Sequence, residues 1–153
     1  MPKKVVQKAQ TKPKKKSTIP LFKLKKKLWG VFSEYIRAEA ADNLGNCKCI
    51  TCNRVMRWKG NGLNVGHFLP QKLNPILIFN PLNVAPQCAR CNMSGEGEQW
   101  LFGLYIIEKH GQDVLDTLFS LKGVPFKFTY DWLQEKLEYY SLNLRAVLLT
   151  KNL

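Results

Sequence analysis

Two Cys-x-x-Cys pairs constrain this chain more than anything else in it. Cys49-Ile50-Thr51-Cys52 and Cys88-Ala89-Arg90-Cys91 stand 35 residues apart. Each pair makes a knuckle that presents two thiolates on one side. Two knuckles supply four soft ligands in a tetrahedron, the arrangement that suits a structural Zn2+. In a small, loop-rich chain the metal-binding energy becomes folding energy. A thioredoxin-like redox site needs one pair in a βαβ setting, and that setting is missing here. The cysteines number five, and an odd count argues against a disulfide framework. Cys47 is the spare: as a ligand in place of Cys49 it would lengthen the spacing to Cys52.

The charge is as uneven as the cysteines are paired. The formal net charge is +13, and residues 1–27 hold 11 lysines with no acid before Glu34. The remaining residues carry 13 basic side chains against all 11 acids. The excess is therefore a property of the N-terminal arm. Such an arm neutralises phosphates and releases counterions, which favours nucleic acid as partner. Lys14, Lys15, Lys16, Lys25, Lys26 and Lys27 are the DNA-binding candidates there. Arg54, Arg57, Lys72 and Arg90 join them around the cysteine motifs. The lysine run lacks the aromatics of a membrane-surface segment. No apolar run is long enough to span a bilayer, and the basic N-terminus lacks the apolar region of a secretory signal. A cytoplasmic protein is expected.

The expected organisation is a disordered lysine-rich tail over 1–20 and one domain over 21–153. Leu21, Leu24, Leu28, Phe32, Tyr35 and Ile36 recur at helical spacing and predict a helix over 21–41. A turn follows at Asn43–Asn46. The core of the domain, 47–110, is expected to hold a hairpin of Arg54–Trp58 against Asn64–Phe68 around Lys59–Gly62. A loop punctuated by Pro70, Pro75, Pro81 and Pro86 leads to the second knuckle. Helices are predicted over Ser94–His110, stopped by Gly111, and over Asp113–Leu121. A last helix is predicted with Thr129 or Asp131 as its cap, so that C-terminal helices fill 112–150. Asn80, next to Pro81, reads as a turn or cap, and His110 as a helix C-terminal residue.

Between the knuckles lies the order Gly66-His67-Phe68, then Phe79-Asn80 with Asn83, then Gln87-Cys88-Ala89-Arg90-Cys91-Asn92. A strand histidine, a loop asparagine and an asparagine after C-x-x-C resemble the HNH, or ββα-metal, nuclease pattern. With Phe32-Ser33-Glu34-Tyr35-Ile36-Arg37 upstream, the set is similar to the phage lambda NinG (Rap) recombination proteins over roughly residues 28–120. The resemblance implies an α+β fold with a small treble-clef, HNH-like zinc core, flanking helices and a basic tail. It implies a metal-dependent endonuclease that hydrolyses phosphodiester bonds in branched recombination DNA. In that pattern His67 is the general base, Asn83 orients the imidazole or its loop, and Asn92 contacts a catalytic Mg2+ or Mn2+.

Two departures stand out. Many HNH nucleases carry a metal-binding acid or histidine just before the base, where this chain has Gly66. Glu96 and Glu98 are the candidates to replace it. NinG-like proteins often carry an arginine before the Phe-Asn pair, where this chain has Ile78. The competing expectation is a non-catalytic zinc-containing DNA-binding accessory of phage recombination or replication, which has no need of His67. A third is a protein-interaction domain built on Trp132, Tyr139 and Tyr140. Cutting a junction with two sites requires a homodimer, for which the last helix is the candidate interface.

Overall fold

The computed structural model describes residues 19–94 and 97–153, so Lys14, Lys15, Lys16 and Glu96 lie outside the described residues. The fold is mixed α+β. Helix α1 runs over Leu21–Ala40. Its entry is set by Pro20, whose carbonyl accepts from the Lys23 and Leu24 amides. Leu24, Leu28, Phe32 and Ile36 form its buried stripe. That stripe packs against Leu133, Leu137 and Tyr140 of the last helix, α4, Tyr130–Lys151. The two helices run in the same direction. At one end the Lys25 ammonium lies 4.5 Å from the Phe128 ring centre. At the other the Lys151 ammonium donates to the carbonyls of Ala38 and Ala41, and to that of Glu39. Thr129 caps α4, accepting from the Trp132 amide at 3.2 Å.

Four short strands make two separate two-stranded sheets. Strand β1, Asn46–Lys48, pairs antiparallel with β2, Val55–Arg57. The turn between them is the first cysteine knuckle: the Cys49 amide donates to Arg54 and the Asn53 amide to Cys49. Asn53 adopts a φ of +58°, a left-handed conformation that asparagine tolerates better than most residues. Strand β3, Leu63–His67, pairs antiparallel with β4, Val84–Cys88.

The expected hairpin of 54–58 with 64–68 therefore does not form. The knuckle turns β2 back onto β1, and β3 takes its partner from across the proline-rich loop. That partner contains Pro86, opposite Val65. A proline is tolerated here because a two-stranded sheet has only edges. The Pro86 carbonyl still accepts from the Ile50 amide at 3.0 Å, which ties β4 to the first knuckle.

After β4 the chain makes one wide helical turn, Arg90–Ser94. Helix α2 covers Gln99–His110 and stops at Gly111, whose φ is +97°. It starts five residues later than the predicted Ser94. Helix α3 follows over Gln112–Ser120. Phe102, Ile106, Leu115 and Leu118 from these helices bury against Phe68, Leu69, Leu77 and Ala85. The β3–β4 pair is thus held between two layers, α1 and α4 on one side and α2 and α3 on the other. No helix among the described residues is long and apolar enough to cross a membrane.

Candidate functional site

The sulfurs of Cys49, Cys52, Cys88 and Cys91 all lie within 4.8 Å of one another. Tetrahedral Zn–S bonds of about 2.3 Å put sulfurs about 3.8 Å apart, and Cys52 Sγ and Cys88 Sγ are separated by 3.8 Å. All the cysteines are free of disulfides. The four sulfurs can hold a zinc ion. Burial alone would raise the Cys49 thiol, but backbone amides of Cys52, Cys88 and Thr51 aimed at its sulfur outweigh it and bring it down to about 7. Burial and the surrounding sulfurs push Cys91 the other way, to about 12. Four thiolates packed this closely need a cation between them. Cys47 is buried in β1 outside the cluster, and burial raises its thiol to about 11, so it stays protonated.

His67 ends β3 beside an open cavity of about 450 Å3 lined by Trp29, Ser33, Arg37, Asn64, Gln71 and Asn92 among others. Its Nε2 lies 3.0 Å from the Ile78 carbonyl. A carbonyl only accepts, so Nε2 carries the proton and the neutral ring keeps its lone pair on Nδ1. Trp29 stacks on the ring, with centroids 5.2 Å apart and planes 18° from parallel. Burial lowers the pKa below the usual 6.5, against a smaller opposing effect of the Ile78 bond. His67 is therefore neutral at pH 7.

The two asparagines are placed differently. Asn83 is fully buried, and its side-chain hydrogen bonds among the described residues go to backbone groups rather than to the imidazole. Its Oδ1 accepts from the Leu69 amide at 2.9 Å, and its Nδ2 donates to the Leu69 and Leu77 carbonyls. It pins together the two loop segments that follow His67 and precede Ile78. Asn80 makes the turn before it, accepting from the Leu82 amide at 2.9 Å. Asn92, in the turn after β4, lines the cavity with His67.

Sequence reasoning gave no role to two residues that α1 delivers to this cavity. One is Trp29. The other is Arg37, whose Nε donates to the Ser33 carbonyl at 3.2 Å and whose Nη1 donates to Leu63 at 3.3 Å. Among the described residues no carboxylate forms a salt bridge with Arg37. A basic residue one face away from a core stripe was the signal available for it. Ile78 turns its side chain into the core, leaving its carbonyl to serve His67.

Other candidates lie elsewhere. Glu98, at the start of α2 with a φ of +49°, lines a different hollow with Thr51, Cys52, Arg54, Arg90 and Cys91. Arg57 is tied to the Leu44 carbonyl and to Asn46. Lys26, Lys27 and Lys72 are exposed, and Lys25 is half-buried against Phe128. Asp42 accepts from the Leu44 and Asn46 amides and organises its own turn. His110 closes α2, away from the cavity.

These features define a small α+β protein in which a four-cysteine cluster joins the first knuckle to the end of β4 and the turn after it, while a neutral histidine on the paired strand β3 and an asparagine in that turn line one cavity. The chain belongs to the bacteriophage lambda NinG family, whose profile (Bacteriophage Lambda NinG protein) matches residues 2–149. It is also similar to the Septu protein PtuB of Bacillus thuringiensis, at 34% identity over 65 residues, which are 42% of this chain. That match covers 24% of PtuB, so this chain spans about a quarter of that relative. No solved structure matches.

Proposed function

We propose that the chain is an HNH-like, metal-dependent DNA endonuclease that hydrolyses phosphodiester bonds, with branched recombination DNA as its substrate. The observation that carries this reading is the state of His67: neutral, its tautomer set by Ile78, and its Nδ1 lone pair left for a proton at the edge of a cavity shared with Asn92 and Arg37. Water in that cavity attacks phosphorus while its proton passes to Nδ1. The bond from phosphorus to the leaving sugar oxygen breaks, and that oxygen takes up a proton from solvent. Trp29 and the Ile78 carbonyl hold the ring still through the step, and Asn83 holds the loop that carries the carbonyl. The Arg37 guanidinium, which has no carboxylate in a salt bridge among the described residues, is placed to neutralise the phosphate. A bound Mg2+ or Mn2+ supplies charge stabilisation at the scissile phosphate, with Asn92 as its candidate ligand. Lys26, Lys27 and the lysine arm track the backbone without reading bases.

Gly66 favours a second reading, a zinc-braced DNA-binding accessory without catalysis, because glycine brings no metal ligand to the position before His67. The test is nicking of labelled branched and linear duplex DNA by zinc-loaded protein, with and without added Mg2+ or Mn2+, beside His67→Ala. The nuclease reading expects metal-dependent nicking that falls about 10^2- to 10^4-fold in the variant while salt-sensitive binding persists. Binding without nicking, across substrates and metals, would transfer the protein to the accessory class.

A further inference from the structure

Gln87 is fully buried in β4, and its amide is oriented without ambiguity. Its Nε2 donates to Thr51 Oγ1 at 2.8 Å and to the Gly97 carbonyl at 2.8 Å. The second of these partners only accepts, so the nitrogen end is fixed and the oxygen must point the other way. There Oε1 is the buried side-chain polar atom, among the described residues, that finds no hydrogen-bond partner. A buried carbonyl oxygen left bare is costly, and such exceptions call for an explanation.

The surroundings of that oxygen narrow what can satisfy it. A Cβ added at Gly66 would lie 1.9 Å from Gln87 Oε1 and 2.9 Å from Asn92 Oδ1. The Gln87 oxygen thus takes the place that a side chain at position 66 would need, with the Asn92 oxygen beside it, and only a glycine at 66 lets Gln87 reach there. Among the described residues no donor meets the Gln87 oxygen. Asn92 also lines the cavity beside His67, so the Asn92 end of this pair borders the cavity while Gln87 stays buried. Amide oxygens supplemented by water are the donor set of a hard divalent cation, not of zinc.

We infer that Gln87 Oε1 and Asn92 Oδ1 are two ligands of a Mg2+- or Mn2+-class cation seated against Gly66. This deepens the nuclease reading, yet it stands or falls without any DNA being cut. Gln87 brings to the glycine position an oxygen that residue 66 cannot supply. The competing arrangement has the Asn92 amide reversed, so that its nitrogen donates to Gln87 and no cation is held.

The test is Mn2+ binding to full-length, zinc-loaded protein without DNA, read from the electron paramagnetic resonance signal of free Mn2+. Measured zinc content shows that the cysteine cluster is filled and not the source of binding. One Mn2+ per chain is expected. Gln87→Met and Asn92→Ala should each weaken it by at least about tenfold, a loss typical even of groups one step removed from a metal. Asn92→Asp, which keeps an oxygen and adds charge, should hold Mn2+ as tightly or more so. If Gln87→Met fails to fold, the opposed responses of Asn92→Ala and Asn92→Asp decide the matter. No Mn2+ on the zinc-loaded wild type would overturn the inference even if the protein cuts DNA. So would binding unchanged in Gln87→Met or Asn92→Ala. Mn2+ binding with this pattern in a protein that cuts nothing would support the cation site and leave the nuclease reading to fail alone.

Discussion

At the scale of single residues, the chemistry of the cavity depends on where protons sit. Burial lowers the pKa of His67 below 6.5, so the fold prefers the neutral ring. The unfolded chain has no such preference. As pH falls through 6.5 the unfolded state takes up a proton that the folded state resists, and stability declines; above 6.5 the ring is neutral in both states and contributes no slope. His110 acts with the same sign, through burial and the charge of Lys109, so the comparison must isolate His67. Urea unfolding between pH 5 and pH 7.5 should show a steeper acid loss in the wild type than in His67→Asn. Parallel slopes would mean that the ring takes its proton inside the fold as easily as outside, and would remove the main support for His67 as a base. Gly66 belongs to this scale too. In the sequence it reads as a missing ligand, and in the fold it reads as space occupied by the Gln87 and Asn92 oxygens.

At the scale of elements, what was legible depended on how local the cause was. The 3.6-residue stripe of Leu24, Leu28, Phe32 and Ile36 is a local pattern, and α1 follows it almost to the residue. The Thr129 cap and the Gly111 stop are equally local. The pairing of β3 with β4 is not. Val84-Ala85-Pro86-Gln87-Cys88 lacks alternation and contains a proline, and it becomes a fully buried strand only because two helical layers cover it. The cavity shows the same division. His67, Asn92 and the four cysteines are marked by spacing in the chain. Trp29 and Arg37 come from 30 or more residues upstream, and nothing local says that α1 will lay them beside His67. Asn83 could be assigned to the loop or to the ring from sequence, and its bonds to Leu69 and Leu77 choose the loop.

The α1–α4 contact offers a test at this same scale. The last carbonyls of a helix lack the regular partners of its interior; at the end of α1 the Ala38 carbonyl accepts from the Ala41 amide at 3.3 Å, and the Lys151 ammonium meets the carbonyls of Ala38 and Ala41 at 3.2 and 2.8 Å. A cation there also opposes the negative end of the helix dipole. Lys151→Met keeps most of the stem and removes the donor. It should destabilise the protein by about 1–2 kcal/mol, as expected for charge-assisted hydrogen bonds at a helix end, read as a lower urea midpoint at unchanged slope. An unchanged midpoint would mean that water serves those carbonyls as well as the lysine does.

For the whole molecule, the question is what joins the layers. Each sheet has two strands, and an isolated two-stranded unit is marginal in water. The cysteine cluster links β1 and its knuckle to the end of β4 and to the turn that carries Asn92. The α1–α4 pair, by contrast, has its own apolar contact through Leu28, Phe32, Leu133 and Leu137. Removing zinc should therefore act unevenly. Structural zinc in small folds contributes on the order of 10 kcal/mol of apparent folding energy, comparable with the net stability of a typical domain. Purified protein should carry one zinc per chain. A strong chelator at neutral pH should break the cluster and release the β4 end from the first knuckle. Trp29 fluorescence and amide-exchange protection over 84–92 should then change first, while much of the helical circular dichroism of α1 and α4 remains. If the metal leaves and both signals stay as they were, the packing of Phe68, Leu77, Phe102 and Leu118 holds the strand pair unaided. The four sulfurs would then be a consequence of the fold rather than a condition for it.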